Sequence, residues 1–348
     1  MENIKVTKMK KAVLASAVIA AMASGSSLAA TVYSSDGTEL KIGGRVEFRG
    51  DFIGTSDGAE IEGSMDDSTR ARINLKGQTQ LSESLIGFGV YEAEHKTGAG
   101  ASGSDNLDTE IENRYMYAGM KGNFGELSFG RQDMASVIVS DMTDITEFSG
   151  IQQTIGSSSD KEDSVIAYSA YLVEALQLKA TFRANDEKDK DGYSLAGFYS
   201  LPMGLDLGLS FSGADLGTGS GSESQILAGL GYTFDALYLG ASYSTGDLDD
   251  KATGATNKEF TAMEFVAQYQ FTDQFSAAAL YTNQENEAAN GTKADATDGV
   301  EVVGYYKFNG NFRTYLSYYL NGLTEVKDPN GIVTAGEDTL RLGIRYDF

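Results

Sequence analysis

The sequence ends with the ten residues TLRLGIRYDF (339–348), in which apolar and polar side chains alternate. The apolar positions are Leu340, Leu342, Ile344, Tyr346 and Phe348. A period of two indicates a β-strand with one apolar and one polar face. Chain termini usually fray, so a strand that continues to the last residue must be hydrogen-bonded there. Its apolar face must in turn be covered by protein or by lipid.

The first 29 residues have the pattern of a secretory signal peptide. Four lysines precede an apolar run from Ala12 to about Ala23, and small residues follow it. We expect cleavage after Ala29, which divides the chain into a signal peptide (1–29) and a mature domain (30–348). Either Met1 or Met9 could start translation. An uncleaved anchor helix is disfavoured because the apolar run is shorter than the ~20 residues that a bilayer requires.

Composition and charge exclude several classes of function. The chain has no cysteine, and its formal net charge is −23. Removing residues 1–29, with four lysines and one glutamate, leaves 23 basic and 49 acidic residues, a net charge of −26. No nucleic-acid partner is expected, because such binding requires a basic surface. The mature sequence has no apolar run long enough for a membrane helix, but a closed β-barrel can also cross lipid.

The alternation of the last ten residues recurs along the whole mature sequence. With the terminal segment, about sixteen alternating segments are present. The others lie at 40–52, 69–77, 86–94, 113–122, 126–131, 165–171, 176–184, 193–201, 205–213, 224–234, 237–244, 259–271, 275–283, 300–308 and 312–320. This number of strands favours an all-β, antiparallel transmembrane barrel. A barrel of this size encloses an aqueous channel.

The connections between these segments differ in length. Very short turns such as GNFG (122–125) and NGN (309–311) alternate with longer, polar connections. The longer connections are expected at 54–67, 97–109, 134–163, 186–191, 216–223, 247–258, 286–298 and 324–337. Short turns on one rim and long loops on the other are typical of outer-membrane barrels. We therefore expect one domain with both termini on the short-turn side.

Several stretches together resemble the general, trimeric porins of the Gram-negative outer membrane. They are ATVYSSDGTELKIGGRV (30–46), ARINLKGQTQLSESLIGFGVYEAE (71–94), NRYMYAGMKGNFGELSFGRQD (113–133), DMTDITEFSG (141–150) and the terminal YDF. The resemblance implies a sixteen-stranded barrel whose third loop folds into the lumen. The loop departs from the family at TEFSG (146–150), where Pro-Glu-Phe-Gly-Gly is common.

Strand parity and the resemblance together predict a charged pore constriction. Parity places Arg45, Arg72 and Arg114 inward, and these match the basic cluster of the family; Glu92 also points inward. By resemblance, Lys161 adds a further basic group. The opposing acidic groups would be Asp144 and Glu147 of the third loop.

The predicted function is passive diffusion of small hydrophilic solutes and ions, with weak cation selectivity. The alternatives are a solute-specific channel, which should show a row of aromatic side chains along the lumen, and a membrane-embedded hydrolase barrel. No enzymatic activity is expected, since the single histidine, His95, has no recognisable catalytic partners.

No metal or cofactor is expected. A calcium-loop spacing at Glu187, Asp189 and Asp191 fails because Phe198 occupies the position of the bidentate glutamate. Expected partners are two further copies of the chain in a homotrimer, lipopolysaccharide and outer-membrane lipid, and the barrel-assembly machinery. By resemblance, Tyr346 and Phe348 belong to the signal that this machinery reads.

Overall fold

The computed structural model describes residues 29–54, 65–97, 111–324, 326–327 and 333–348. The predicted signal peptide, apart from Ala29, lies outside the described residues. Sixteen strands form the closed ring. They are β2 (Thr38–Gly54), β4 (Arg70–Ser82), β5 (Leu85–Lys96), β6 (Glu112–Gly122), β7 (Gly125–Gln132), β8 (Glu162–Val173), β9 (Leu176–Arg183), β10 (Gly192–Ser200), β11 (Leu205–Asp215), β12 (Ser222–Phe234), β13 (Leu237–Asp247), β14 (Asn257–Gln270), β15 (Phe275–Ala288), β16 (Lys293–Lys307), β17 (Phe312–Asn321) and β20 (Asp338–Asp347).

A few short elements lie outside the ring. They are β1 (Ala30–Ser35), β3 (Asp66–Asp67), β18 (Val326–Lys327), β19 (Val333–Ala335), helix α1 (Val137–Ser140) and a 3-10 turn (Gly156–Ser158). Strand β1 pairs with the first residues of β2, beyond the point where β20 ends. None of the helices in the described ranges has the length and apolar character to cross a bilayer.

The ring closes between the first and last barrel strands. Every barrel strand pairs antiparallel with its neighbours in sequence, and β20 pairs with both β17 and β2. At the end of this seam, Phe348 N–H donates to Gly44 O at 3.0 Å, and Gly44 N–H donates to Phe348 O at 2.9 Å. The last residue is therefore hydrogen-bonded, as the alternation of 339–348 predicts.

Successive side chains along each strand point alternately outward and inward, which gives the barrel an apolar outer wall and a polar inner wall. On β14, Phe265 is 51% exposed on the outside, whereas the neighbouring Glu264 is fully buried on the inside. Leu209, Val302 and Leu316 are similarly exposed on other strands. A soluble monomer rarely exposes an apolar surface of this extent. Lipid therefore covers the apolar face of the barrel, as it does in outer-membrane proteins.

The lengths of the described connections follow the predicted alternation, with one difference. Most of the connections predicted at 54–67 and 97–109, and part of the one at 324–337, lie outside the described residues. The loop predicted at 286–298 is only a turn over 289–292, because β15 and β16 continue to Ala288 and from Lys293. Pairing continues here among polar residues, and Lys293 forms ion pairs with Glu285 at 2.7 Å and Glu287 at 3.4 Å. These strands thus extend past the apolar band, where alternation of hydrophobicity no longer marks them.

The third long connection, residues 133–161 between β7 and β8, folds into the lumen. Helix α1 lies in this connection, and Val139 and Met142 pack against Leu227 of the inner wall. The wall carries glycine at the contact: a Cβ on Gly229 would lie 2.6 Å from Met142 Sδ. The inward-facing glycine therefore provides the space that lets the loop lie flat against the wall.

A charge on the lipid face of the closing strand should impair assembly. Leu342 faces outward on β20, and a lipid-facing arginine costs up to about 4 kcal/mol near the bilayer midplane. We expect Leu342→Arg to reduce strongly the fraction of folded barrel in outer membranes, measured by heat-modifiable migration on gels. Leu342→Ala is the control and should assemble almost normally. Equal yields of the two variants would contradict the assigned orientation of β20.

Candidate pore constriction

Two buried carboxylates of the barrel wall hold the third loop in place. Glu301 on β16 accepts hydrogen bonds from Glu147 N–H at 3.1 Å and Phe148 N–H at 3.0 Å. Ser317 Oγ donates to the same carboxylate at 2.6 Å. The backbone of the loop tip is thereby fixed to the wall at 147–148.

Glu264 on β14 makes a second attachment of the same kind. It accepts from Gly150 N–H at 2.8 Å and from Thr143 Oγ at 2.8 Å. Both wall glutamates are fully buried, and neither forms an ion pair with a described residue. Hydrogen-bond donors of the loop satisfy the oxygens of both carboxyl groups, which makes the attachment dependent on loop geometry.

The wall formed by β2, β4, β5 and β6 carries the predicted arginines in neighbouring positions. Arg45 on β2 lies directly across from Arg72 on β4, and Arg72 lies across from Glu94 on β5. A bulge between β5 and β6 brings Arg114 into the lumen beside Glu92. The pleat of four adjacent strands thus collects these charges on one inner surface.

Arg72 and Arg114 share two carboxylates. Arg72 Nε donates to Glu94 Oε2 at 2.8 Å, and Arg114 Nε donates to Glu92 Oε1 at 2.9 Å. Cross pairs join Arg72 to Glu92 at 3.4 Å and Arg114 to Glu94 at 3.6 Å. The result is a compact network of two cations and two anions, which holds the guanidinium groups in fixed positions along the lumen.

The loop tip contacts this wall through Glu147. Its carboxylate accepts a hydrogen bond from Arg49 of β2 at 2.6 Å, and its carbonyl accepts from Arg341 of β20 at 2.8 Å. The Arg341 guanidinium also lies 4.0 Å from the centre of the Phe148 ring, close enough for a cation–π contact. Glu147 is thus a fixed charge at the narrowed part of the lumen.

Asp144 lies within the third loop, and Lys161 lies at the end of the loop, next to β8. Ser149 Oγ donates to Asp144 at 2.7 Å. Burial raises the pKa of Asp144 above its usual range, the hydrogen bond from Ser149 opposes this, and the nearby Asp160 and Glu147 carboxylates raise it further. Lys161 pairs with Asp160, and its backbone N–H donates to Asp133 at 3.0 Å.

The structure brings most of the predicted constriction residues together. One cavity in the lumen is lined by six of them, namely Arg45, Arg72, Arg114, Asp144, Glu147 and Lys161. Glu92 forms ion pairs with two of these arginines, Arg72 and Arg114. Their role as the constriction that governs passage stays a prediction.

Sequence reasoning missed several charged residues that line the same cavity. They are Glu47, Arg49, Arg70, Asp160, Lys307, Arg313 and Arg345. Arg49 and Glu47 have the same parity as Arg45, so strand alternation alone marks them as inward-facing. Whether these residues line the same cavity depends on the strand register and on the position of the third loop, and parity predicts neither.

Comparisons with known proteins agree with this geometry. The sequence pattern described as Gram-negative porin matches residues 15–327. The chain belongs to the Gram-negative porin family. Outer membrane protein U of Vibrio vulnificus is 32% identical to this porin over 361 residues, covering 98% of this chain and 100% of the relative.

Two solved structures share the fold of the porin. OmpF of Salmonella typhi, in complex with daunomycin, has a TM-score of 0.76 at 21% identity and covers 92% of this chain and 100% of its own. OmpT, an outer membrane protein of Vibrio cholerae, in its in-vitro folded trimer form has a TM-score of 0.69 at 18% identity, covering 90% of this chain and 100% of its own. The porin is thus an outer-membrane β-barrel of a Gram-negative bacterium, and its water-filled lumen is a channel for passive diffusion of small hydrophilic solutes.

Removing both wall glutamates should loosen the third loop. Glu264→Ala with Glu301→Ala deprives five loop donors of their acceptors, and each hydrogen bond contributes about 0.5–1.5 kcal/mol. We expect more frequent current fluctuations in single-channel recordings in planar bilayers. Glu264→Gln with Glu301→Gln keeps a carbonyl acceptor at each site and should be intermediate. Recordings as quiet as those of the parent would show that the two glutamates do not hold the loop.

Proposed function

We propose that the porin is a general diffusion channel with weak cation selectivity, governed by the charged constriction of Arg45, Arg72, Glu92, Arg114, Asp144, Glu147 and Lys161. The observation that carries the proposal is the pairing of charges in the narrowed lumen. Arg72 and Arg114 are balanced by Glu92 and Glu94, and Arg49 is balanced by Glu147. Such a constriction has a strong transverse field but little net charge.

The preference for cations then comes from the surroundings. The mature chain has an excess of acidic residues, and exposed carboxylates such as Glu112, Asp186 and Asp250 lie at the long-loop rim. A negative vestibule raises the local cation concentration over about one Debye length, ~10 Å at 0.1 M salt. The preference should therefore weaken as the salt concentration rises.

The placement of aromatic side chains favours a general channel over a solute-specific one. Three inward-facing tyrosines are engaged with the wall or the third loop. Tyr315 donates to Glu47 at 2.7 Å, and Tyr238 donates to Met142 O at 2.6 Å. Tyr319 stacks on Phe148 at 4.8 Å between ring centres. These rings support the loop and are not free to contact a solute. Phe88, Tyr117 and Tyr115 form a separate inward-facing group with ring centres 6.3 and 6.5 Å apart, and this group is confined to the two strands β5 and β6.

The proposal includes no enzymatic activity. His95, the single histidine of the sequence, is exposed at the end of β5 and lies directly across from Ala71 on the outward parity of β4. A hydrolase would need a base within hydrogen-bond reach of a nucleophile and an orienting acid. The outward position of His95 does not favour that role.

We further propose a homotrimer that packs through the outer wall of β4–β6. Gly77 and Gly89 lie directly opposite each other there and line a shallow apolar depression with Met116, Ala118 and Phe129. Small side chains permit close approach of a second wall. A solved relative in the trimer form has the same fold.

Lipopolysaccharide, outer-membrane lipid and the barrel-assembly machinery are proposed as further partners. The apolar outer wall fits lipid, and the polar strand extensions above it are at the height of lipid headgroups. Tyr346 and Phe348 both face outward at the end of β20, with their rings 6.3 Å apart. They are therefore accessible to a receptor that reads the last strand before the barrel closes.

The selectivity proposal is tested by the zero-current potential across a potassium chloride gradient at neutral pH. We expect the parent to favour potassium weakly. Asp144→Asn with Glu147→Gln should shift the potential toward chloride, because two negative charges are removed where screening by water is poorest. Arg72→Gln with Arg114→Gln should shift it toward potassium, since Glu92 and Glu94 lose their partners. A parent that favours chloride, or two variants that move in the same direction, would refute this assignment.

The trimer proposal is tested by filling the depression. A Cβ on Gly77 or Gly89 meets nothing closer than 3.9 Å, so Gly77→Leu with Gly89→Leu should leave the barrel fold intact and separate the subunits. Sedimentation in mild detergent should then give a folded monomer, whereas the parent gives a trimer. The control is Gly304→Leu on the outward face of β16, where a Cβ also has space at 3.5 Å. A trimeric double variant would place the interface elsewhere.

A further inference from the structure

Three cations lie side by side on the inner wall near the short-turn rim. Lys307 on β16 is directly across from Arg313 on β17, and Arg313 is directly across from Arg345 on β20. Like charges in directly opposed positions destabilise a sheet. Only a few residues separate all three from the turn at 308–311 or from the end of the chain. They form a row below the third loop, on the side of the barrel where short turns face the periplasm.

This row lacks the carboxylates that balance the constriction. Arg345 Nε donates to Asp347 at 2.8 Å. The side chains of Lys307 and Arg313 form no ion pair or hydrogen bond with any residue in the described ranges. Arg313 Nε is buried and has no hydrogen-bond partner among those residues. The charge of this row is therefore largely uncompensated.

Arg45 continues the row on the neighbouring strand. It lies directly across from Asp347, is 8% exposed, and its buried Nε has no hydrogen-bond partner among the described residues. Its nearest carboxylate, Glu47 at 3.7 Å, is already held by Arg70 at 2.7 Å and by Tyr315 at 2.7 Å. Four cations thus share Asp347 and a carboxylate that belongs mainly to Arg70.

Neutral donors complete the surroundings of the row. Gln268, Ser276 and Tyr305 line the same cavity as the four cations. Hydroxyl and amide groups donate hydrogen bonds to oxyanions, and guanidinium groups match phosphate oxygens in a two-pronged geometry. Neighbouring strands are about 4.8 Å apart, so Lys307 and Arg345 lie about 10 Å apart across the sheet. The row is therefore wider than a chloride ion or a single carboxylate group.

We propose that Lys307, Arg313 and Arg345, together with Arg45 at the edge of the constriction, form a binding subsite for phosphate-bearing anions with two or more charges, which extends from the constriction toward the periplasmic side. The subsite depends on the lumen being open to solutes and is independent of the weak cation selectivity at the outer mouth. A polyvalent anion entering from the short-turn side binds there transiently and obstructs the current. Monovalent ions pass because a single charge can contact only part of the row and is therefore bound too weakly to stay.

The test uses inorganic pyrophosphate as the probe. In single-channel recordings at 0.1 M potassium chloride, pyrophosphate on the short-turn side should produce concentration-dependent blocks of the parent. Lys307→Gln with Arg313→Gln should raise the blocking concentration at least tenfold. The control is Lys76→Gln with Lys121→Gln, which also removes two inward-facing lumen cations, from β4 and β6, and should be blocked as the parent is.

The outcomes separate this subsite from the other proposals. Potassium chloride conductance by itself reports the channel, and block by pyrophosphate reports the subsite. An unblocked parent, or an equal loss of block in both variant pairs, would overturn the subsite in favour of general lumen charge. Block by malonate at the same concentration would overturn the preference for phosphate. Calorimetric titration of the detergent-solubilised parent and both variants with pyrophosphate gives the same comparison without conduction, and equal heats in all three would also overturn the proposal.

Discussion

The structure depends on one constraint: in lipid, every backbone N–H and C=O must find its partner within the protein. An open sheet of sixteen strands would leave two unpaired edges in the hydrocarbon region. Pairing of β2 with β20 removes both edges, and the reciprocal hydrogen bonds of Gly44 and Phe348 complete the seam at its end. Once the ring is closed, the pleat assigns each side chain to lipid or to water. The charged lumen follows from this geometry.

The lumen contains two different electrostatic arrangements. At the level of the third loop, each arginine of the network has a carboxylate close by, as Arg72 and Arg114 do with Glu92 and Glu94. Nearer the short turns, Lys307 and Arg313 have no carboxylate partner in the described part of the chain. Paired charges give a transverse field that orients dipolar solutes, and unpaired charges give a potential that attracts anions. A solute therefore experiences the two in succession along one path.

Much of the fold could be predicted from the sequence, because a strand that separates lipid from water must alternate. The orientation of Arg45 and Arg72 follows from parity in the same way. Arg114 has the parity of the outward-facing Met116, and only the bulge between β5 and β6 turns it into the lumen. The alternation no longer identifies strands that lie outside the lipid, as in the polar extensions of β15 and β16 beyond residue 285. It also cannot supply the partner of an inward residue: that Arg72 lies across from Glu94 depends on register, and that Glu147 is held by Arg49 depends on the loop. Glu264 and Glu301 have the sequence pattern of ordinary pore-lining residues, and only the folded loop distinguishes them.

The two wall glutamates hold the loop mainly by its main chain. Glu301 accepts the backbone N–H groups of Glu147 and Phe148, and Glu264 accepts that of Gly150. Any residue other than proline supplies such a donor. The attachment therefore places few demands on which side chains the loop presents, and TEFSG can stand where related porins have Pro-Glu-Phe-Gly-Gly. Substitutions in the loop can therefore change the chemistry of the narrowed lumen while the position of the loop stays fixed by its main chain.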